Sequence, residues 1–167
     1  MSVLDRDIVE LLPRLRRLAR ALTRDLADAD DLAQVTVERA LLHRGQWRPG
    51  TRLDSWIFRI MKNAWIDETR ARRRRSAVLA PEEAGEHVGD AGAAAVEARL
   101  AAREVERAMG TLPDDQRLAV ALVLVEGLSY RDAAEVLEVP EGTLTSRLVR
   151  GRAALIAKLQ EAPDVRD

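Results

Sequence analysis

Apolar residues recur at helical spacing along most of the chain, and this pattern predicts an all-α protein. In the N-terminal half one helix covers residues 8–22, and Pro13 is expected to start or kink it. A second helix is expected to begin with Asp28 as its N-cap, and a third runs from Leu53 into a block of arginines. The positions predicted to face the core are Ile8, Leu11, Leu12, Leu15, Leu18, Ala19, Leu22, Leu32, Thr36, Ala40, Leu41, Leu53, Trp56, Ile57, Ile60, Met61, Ala64 and Trp65, with Val35 beside them.

The C-terminal half predicts a second, smaller helical bundle. A helix over residues 96–109 is followed by Pro113, which suits the first turn of the next helix because its missing N–H needs no partner there. Residues 118–125 are apolar nearly all round, so this helix is expected at the centre of the bundle, and Gly127 can supply the left-handed residue that ends it. The predicted core positions are Leu100, Val105, Ala108, Met109, Tyr130, Ala133, Ala134, Leu137, Leu144, Leu148, Leu155 and Leu159.

Residues 127–152 have the pattern of a helix-turn-helix. Ser129 followed by Asp132 gives a capping-box-like start to a short helix, and a second helix follows the turn at Val139 and Pro140. That second helix leaves one polar side, here called the reading face, which is shaped to enter the major groove of DNA. The reading face consists of Thr143, Ser146, Arg147 and Arg150.

Between the two bundles the pattern is lost. Residues 76–95 are rich in Ala, Gly and Glu, contain Pro81 and show no periodicity, which is typical of a flexible linker. The sequence therefore predicts an N-terminal module over residues 1–75, a C-terminal module over residues 96–162 and a tail over residues 163–167.

Composition narrows the function further. The 167 residues include no Cys and two distant His, so neither a disulfide framework nor a zinc site is expected, and no cofactor site is predicted. There is no apolar run of the ~20 residues that span a bilayer and no signal peptide, so the prediction is a cytoplasmic chain without membrane insertion. A nucleophile with its base, a metal cluster and a phosphate-binding glycine loop are all missing from the sequence, so an enzyme is not expected.

Charge is segregated along the chain although the formal net charge is only -1. Five arginines at positions 70 and 72–75 form a basic block, and acids at positions 82, 83, 86 and 90 follow it. The block is either a solvated helix end or a site of contact with DNA phosphates.

Three motifs, in this order and spacing, resemble those of bacterial extracytoplasmic-function sigma factors, the two-domain specificity subunits of RNA polymerase. They are residues 28–34, residues 53–67 with Trp56, Arg59, Asn63 and Asp67, and residues 127–152 with the Leu-Ser-Tyr and Ser-Arg-Leu triplets. The resemblance covers nearly the whole chain. It implies a region 2-like bundle joined to a region 4-like helix-turn-helix, and a free protein that is a monomer.

The resemblance also assigns a polymerase-docking face to the second helix: Asp31, Gln34 and Glu38. In such factors this face binds the clamp helices of the largest subunit of core RNA polymerase. Two acids and an amide suit arginines of a partner through charge-assisted hydrogen bonds. The alternative is that these three are ordinary solvated residues.

The same resemblance assigns a -10 surface, which binds and melts the -10 element of the promoter. Its residues are Trp47, Arg48, Lys62, Asn63, Asp67, Arg70, Arg73 and Arg74. Trp47 is placed to stack on an extruded base and Asn63 to meet a base edge, so single-strand binding itself would drive melting. Trp47 could instead fold onto the core, and Asp67 could instead orient a neighbouring arginine.

The reading face would bind the -35 element, and its arginines could read guanine edges or hold phosphates. Two residues depart from the family pattern: Glu138 stands in the turn where Gly is common, and Thr145 stands where Lys is frequent. The resemblance further implies an anti-sigma factor as partner. A sigma mimic that only captures such a factor, or an ordinary repressor, fits less well, because the basic block, Asn63 and the loop before Leu53 are intact.

Overall fold

The computed structural model describes residues 1–78 and 92–161, and all regular structure within these ranges is helical, which confirms the all-α prediction. Most of the predicted linker and all of the predicted tail lie outside the described residues. The helices are α1 (Val3–Glu10), α2 (Leu12–Leu22), α3 (Leu26–Leu42), a 3-10 turn (Arg44–Gln46), α4 (Leu53–Ser76), α5 (Ala93–Gly110), α6 (Asp114–Val120) with a π turn (Ala121–Val125), α7 (Tyr130–Leu137) and α8 (Glu141–Glu161).

In the N-terminal module α1 and α2 replace the single helix of the sequence pattern, and Pro13 lies in the first turn of α2 as expected. The predicted N-cap of α3 is wrong by three residues. Asp25 caps this helix, because its carboxylate accepts the N–H of Asp28 at 2.8 Å. The Asp28 side chain is thereby left to pair with Arg72 of α4 at 2.6 Å.

The N-terminal core lies between α2, α3 and α4. Small residues of α3, such as Ala29 and Ala40, let the helices approach closely, and the Thr36 hydroxyl donates to the Leu32 carbonyl at 2.7 Å, so this buried polar group is satisfied. Phe58 is fully buried although the sequence pattern did not single it out. The predicted α4 positions Ile57, Met61, Ala64 and Trp65 are buried as expected.

In the C-terminal module α6 is the central helix, as predicted. Several other expectations there are wrong. Leu100 and Val105 are 53% and 44% exposed, because only the end of α5 is buried, at Ala108 and Met109. Tyr130 is 46% exposed at the first residue of α7, where its ring meets solvent. The apolar segment 118–125 was expected to be buried throughout, but its second part forms a π turn. Leu124 and Val125 of this turn are exposed.

Helix α8 crosses α6 at a glycine. A Cβ on Gly151 would lie 2.8 Å from a methyl carbon of Val120 and 3.2 Å from the carbonyl oxygen of Gln116. The backbone oxygen cannot swing aside as a side-chain tip does, so only glycine permits this close approach. Gly151 therefore sets how near α8 lies to α6.

Helix α7 ends at Glu138 in the left-handed conformation, with φ 57° and ψ 43°. It is the one non-glycine residue with positive φ in the described part of the chain. Glycine adopts this conformation without steric cost, whereas a residue with a Cβ does not. The departure from the family pattern at Glu138 thus places a residue with a Cβ in a conformation that favours glycine.

The cost of this turn is measurable with two substitutions that both remove the carboxylate. Glu138→Gly is expected to be more stable to unfolding than Glu138→Ala by about 1 kcal/mol, because Ala keeps the Cβ that disfavours positive φ. Urea unfolding of the two variants gives the difference. The same pair at Glu135, inside α7 and exposed, is the control: Gly should there be the less stable by roughly 0.5–1 kcal/mol. If the Gly variant were the less stable of the two at both positions, the assignment of strain to Glu138 would be contradicted.

Candidate functional site

The two modules are packed together, and oppositely charged side chains line their contact. Residues 1–75 contain 17 Lys or Arg and 11 Asp or Glu, whereas residues 96–161 contain 9 and 11. The N-terminal module is therefore basic and the C-terminal module slightly acidic. At the interface, arginines and a lysine of the N-terminal module form ion pairs with acids of the C-terminal module. Electrostatic attraction therefore favours the closed arrangement, in which the two modules are in contact.

Glu126 is the most buried of these acids, with a fully buried side chain. It lies just after the π turn and accepts hydrogen bonds from two arginines of α2, Arg14 at 3.2 Å and Arg17 at 2.9 and 3.0 Å. These bonds raise the pKa of Arg17. The Arg14 guanidinium also lies 5.0 Å from the centre of the Phe58 ring, a cation–π contact. The two guanidiniums neutralise the charge of the buried Glu126 carboxylate, and their hydrogen bonds offset the cost of removing it from water.

A second chain of charges runs from this site to α7. Asp54, in the first turn of α4, accepts from Arg14 at 3.0 Å and from Arg52 at 2.8 Å. Burial alone would raise the pKa of Asp54, but the hydrogen bonds from the two arginines lower it overall, so the group is held as a carboxylate. Arg52 also binds Asp132 of α7. Asp132 thus serves the interface and does not complete a capping box; only the Ser129 half of that prediction is present, at 3.0 Å.

Arg117 of α6 joins the ends of two other helices. Its guanidinium donates to the carbonyls of Met109 at 2.8 Å and Gly110 at 2.7 Å, at the end of α5, and to that of Leu22 at 3.0 Å, the last residue of α2. It also lies 5.8 Å from the centre of the Trp65 ring. Burial lowers the pKa of Arg117. A cation at two helix C-termini meets carbonyls that have no partner within their helices.

The residues predicted to form the -10 surface lie along α4 and the loop before it, but they are not equally accessible. Asn63 and Arg48 are exposed, and Trp47 is half-buried with its indole Nε1 buried and unpaired. Lys62 is much less accessible than the exposed residues of the same surface. Its side chain is only 8% exposed, because α7 covers it, and its Nζ lies 3.2 Å from a carboxylate oxygen of Glu138.

The remaining residues of the -10 surface continue toward the end of α4. Asp67 accepts a hydrogen bond from Arg39 at 3.3 Å, which is the orienting contact considered as its alternative role. Arg70 and Arg74 are exposed, whereas Arg73 pairs with Asp114 at the start of α6. The basic block is therefore only partly engaged within the chain.

The polymerase-docking face is exposed on α3 as the sequence pattern predicts. Asp31, Gln34 and Glu38 all lie at the surface, and the Gln34 amide donates to Glu38 at 3.1 Å. Asp31 and Gln34 border a groove of about 850 Å³ that reaches from α3 and α4 to the start of α6. This face remains accessible while the modules are closed.

The reading face lies on the N-terminal half of α8. Ser146 and Arg150 are exposed, Thr143 is half-buried, and Arg147 is 3.5 Å from a carboxylate oxygen of Asp115. Leu144 and Leu148 anchor the other side of the helix in the core. Thr145, the second departure from the family pattern, donates its hydroxyl to the Glu141 carbonyl at 2.9 Å and so remains tied to its own helix.

The interface residues that escaped the sequence analysis include Arg14, Arg17, Arg117 and Glu126. Periodicity assigns the first two only to the outer side of α2, and no local pattern indicates that an acid 109 positions later meets Arg17. Arg117 carried the one available signal, a charge directly before an apolar run. Among the described residues, no three or more His, Cys, Asp or Glu side chains lie together in a way that could hold a metal ion. No described helix is long and apolar enough to cross a membrane.

Comparison with known proteins agrees with this architecture. Residues 8–75 match the family model of sigma-70 region 2, and residues 102–155 match that of sigma-70 region 4. The chain is 37% identical to the ECF RNA polymerase sigma factor EcfG of Rhodopseudomonas palustris over 92% of this chain and 83% of the relative. It is 41% identical to SigM of Mycobacterium tuberculosis over 85% of this chain and 69% of that protein.

Solved structures show the same fold. The sigma factor RpoE of Bartonella quintana, in complex with the anti-sigma factor NepR, matches with a TM-score of 0.78 and 29% identity over 94% of this chain and 96% of that one. CnrH, in complex with the cytosolic domain of CnrY, matches with a TM-score of 0.65 and 26% identity over 93% and 88% of the two chains.

Both modules, their order and the length of the match agree with one family. Its members bind core RNA polymerase and direct it to promoters through -35 and -10 elements; they are initiation factors and not enzymes. The chain belongs to the ECF family of RNA polymerase sigma factors.

Proposed function

We propose that three separate surfaces of the chain divide the work of a sigma factor. The observation that carries this proposal is the separation of an exposed acidic face on α3 from two basic faces on α4 and α8. An acidic face suits a basic protein partner, and basic faces suit DNA. The polymerase-docking face would therefore bind the clamp helices, while the other two surfaces hold the promoter.

On the -10 surface, Trp47 and Asn63 take the extruded base and the arginines hold phosphates. The half-exposed ring of Trp47 and the exposed amide of Asn63 support this division, since one offers a stacking surface and the other both a donor and an acceptor. Arg48, Lys62, Asp67, Arg70, Arg73 and Arg74 complete the surface. Lys62 and Arg73 are held by acids of the C-terminal module in the closed chain.

On the reading face, Ser146 and Arg150 are the residues best exposed for contact with the -35 element. Arg147 is tethered to Asp115 in the free chain and would exchange this pair for DNA. Thr143 lies closer to the module and would contact the sugar–phosphate backbone or a thymine methyl group at the edge of the face.

The modules of this proposal are residues 1–75 and 96–162, with residues 76–95 as linker and 163–167 as tail. The two family matches fall inside the proposed modules, at 8–75 and 102–155. An anti-sigma factor that holds both modules is the proposed regulator, supported by the similar sigma factor RpoE, which was solved in complex with the anti-sigma factor NepR. The chain would act as a monomer in the cytoplasm, where the polymerase and promoters are.

Run-off transcription with purified core RNA polymerase tests the proposed function. The template carries the region upstream of the chain's own gene, and a shuffled version of this region is the control. We expect a discrete transcript from the first template and none from the second. Equal transcription from both templates, or none from either, would overturn the proposal.

Changing the polymerase-docking face should weaken core binding without unfolding the chain. For Asp31→Ala combined with Gln34→Ala, we expect a loss of about 2 kcal/mol in binding to core, roughly thirtyfold in Kd, because charge-assisted hydrogen bonds to the partner are lost. Fluorescence anisotropy of the labelled chain measures this loss. Asp7→Ala, an exposed acid on α1, is the matched control. A similar loss for the control would show that only net charge matters.

A further inference from the structure

Glu138 has a left-handed backbone conformation that glycine would adopt without strain. Its side chain contacts the N-terminal module. Its carboxylate lies 3.2 Å from Nζ of Lys62 on α4. The two partners differ in exposure, since 61% of the Glu138 side chain is open to solvent but only 8% of that of Lys62. The ammonium group, covered by α7, thus depends on this carboxylate for its charge partner.

A second cation of α4 meets the same end of α7. Arg59, one turn before Lys62, donates from Nη2 to the Glu135 carbonyl at 3.2 Å. The C-terminal end of a helix carries partial negative charge from its unpaired carbonyls. The end of α7 therefore offers α4 a carboxylate and a carbonyl side by side, the kind of acceptors that a DNA phosphate would offer the same two cations.

Helix α7 covers only part of the -10 surface on α4. Arg52 holds the start of α7 through Asp132, so α7 is tied to the α4 segment at both ends. The neighbouring Asn63 stays exposed, as does the polymerase-docking face on α3. The free chain can therefore meet the polymerase while part of its -10 surface is closed.

We propose that Glu138 controls access to the -10 surface by occupying Lys62 in place of a DNA phosphate. This rests on the proposed assignment of Lys62 to promoter contact. A phosphate and the Glu138 carboxylate compete for one ammonium group, so DNA binding requires α7 to leave α4. The affinity of the free chain for DNA is reduced by the fraction of molecules that are closed, and removal of the carboxylate raises the open fraction.

The test measures binding of the free chain, without polymerase, to a fluorescein-labelled single-stranded DNA of mixed sequence. Glu138→Gln should bind about three- to tenfold more tightly than wild type, because one partly buried ion pair no longer favours closure. Glu138→Gly should gain at least as much and serves as the second variant. Glu135→Gln is the matched control: it removes the same charge from α7, but within residues 1–78 and 92–161 its carboxylate pairs with Arg131, at 3.7 Å, and not with α4.

Two further measurements identify the cause. The gain from Glu138→Gln should vanish when Lys62 is already Met, since the two groups act through one contact. The chain contains no Cys, so dyes on cysteines introduced at the exposed positions Glu10 and Ala157 report module separation without background labelling. Energy transfer should fall at lower DNA concentration in Glu138→Gln than in wild type.

Equal affinities for Glu138→Gln and Glu135→Gln would overturn the proposal, as would a gain that persists in the Lys62→Met background. Transcription by wild-type chain with core polymerase is scored separately. Unchanged DNA affinity in an active sigma factor refutes the role of Glu138 alone. Failure of wild-type transcription refutes the proposed function, whatever the affinities are.

Discussion

Replacing Arg117 with methionine is expected to lower the free energy of unfolding by about 3 kcal/mol, the largest effect on stability foreseen for a single side chain here. Methionine fills much of the space but donates no hydrogen bond. The carbonyls of Leu22 and Gly110 would then lose this donor, while that of Met109 would keep the N–H of Leu112. For a chain of this size the loss corresponds to a melting temperature lower by roughly 6–12 °C, measurable by circular dichroism.

Arg150→Met is the control for Arg117, because it makes the same chemical change at an exposed position on α8. It should alter stability by no more than about 0.5 kcal/mol. Since Arg117 binds α2 from the other module, Arg117→Met should also loosen the modules, which the dye pair described above would detect. Equal melting of the two variants would contradict the role of Arg117 as a clamp between helix ends.

The largest functional effect is expected at Trp47 and Asn63. Alanine at either position should lower open-complex formation by roughly five- to 150-fold, because base stacking on an aromatic ring or a good contact to a base edge contributes about 1–3 kcal/mol. Fluorescence of 2-aminopurine placed in the -10 element follows the melting directly. Affinity for core polymerase should stay within about twofold of wild type, as neither residue lies on the polymerase-docking face.

The double variant Asp31→Ala with Gln34→Ala should show the opposite result: weaker binding to core polymerase but normal melting once it is bound. Raising its concentration should restore open complexes, since only assembly with core is weakened. The same increase should leave Trp47→Ala and Asn63→Ala defective, because their loss follows assembly. Equal rescue of all variants by concentration would contradict a base-capture role for the -10 surface.

The sequence predicted the features that depend on local pattern. Periodicity located the helices and most of the N-terminal core, and Pro13 and Gly127 marked real boundaries, the latter with φ 70°. The exposure of Asp31, Gln34 and Glu38 was also predictable, because these residues share one side of one helix and need no contact from elsewhere in the chain. The same holds for the outward positions of the reading face.

What escaped prediction depends on contacts between distant segments. Lys62 belongs to the polar side of α4 by periodicity, yet α7 buries it from 76 positions away. The error at Asp28 arose because two nearby aspartates suit an N-cap equally well. In the structure Asp25 accepts the N–H of Asp28, whereas the Asp28 carboxylate pairs with the distant Arg72. Leu100 and Val105 follow a helical pattern on a helix of which only the end is covered, so apolar spacing overstated their burial.

Gly151 has a consequence for engineering. The exposed residues Ser146 and Arg150 of α8 can be exchanged without changing the packing of α8 on α6, whereas the missing side chain at Gly151 permits the close approach of the two helices. A transplant of outward residues from another family member should therefore transfer its promoter preference only where this crossing point is kept. Contact with DNA and the seating of α8 on its module therefore depend on different positions of the same helix, and each can be changed without the other.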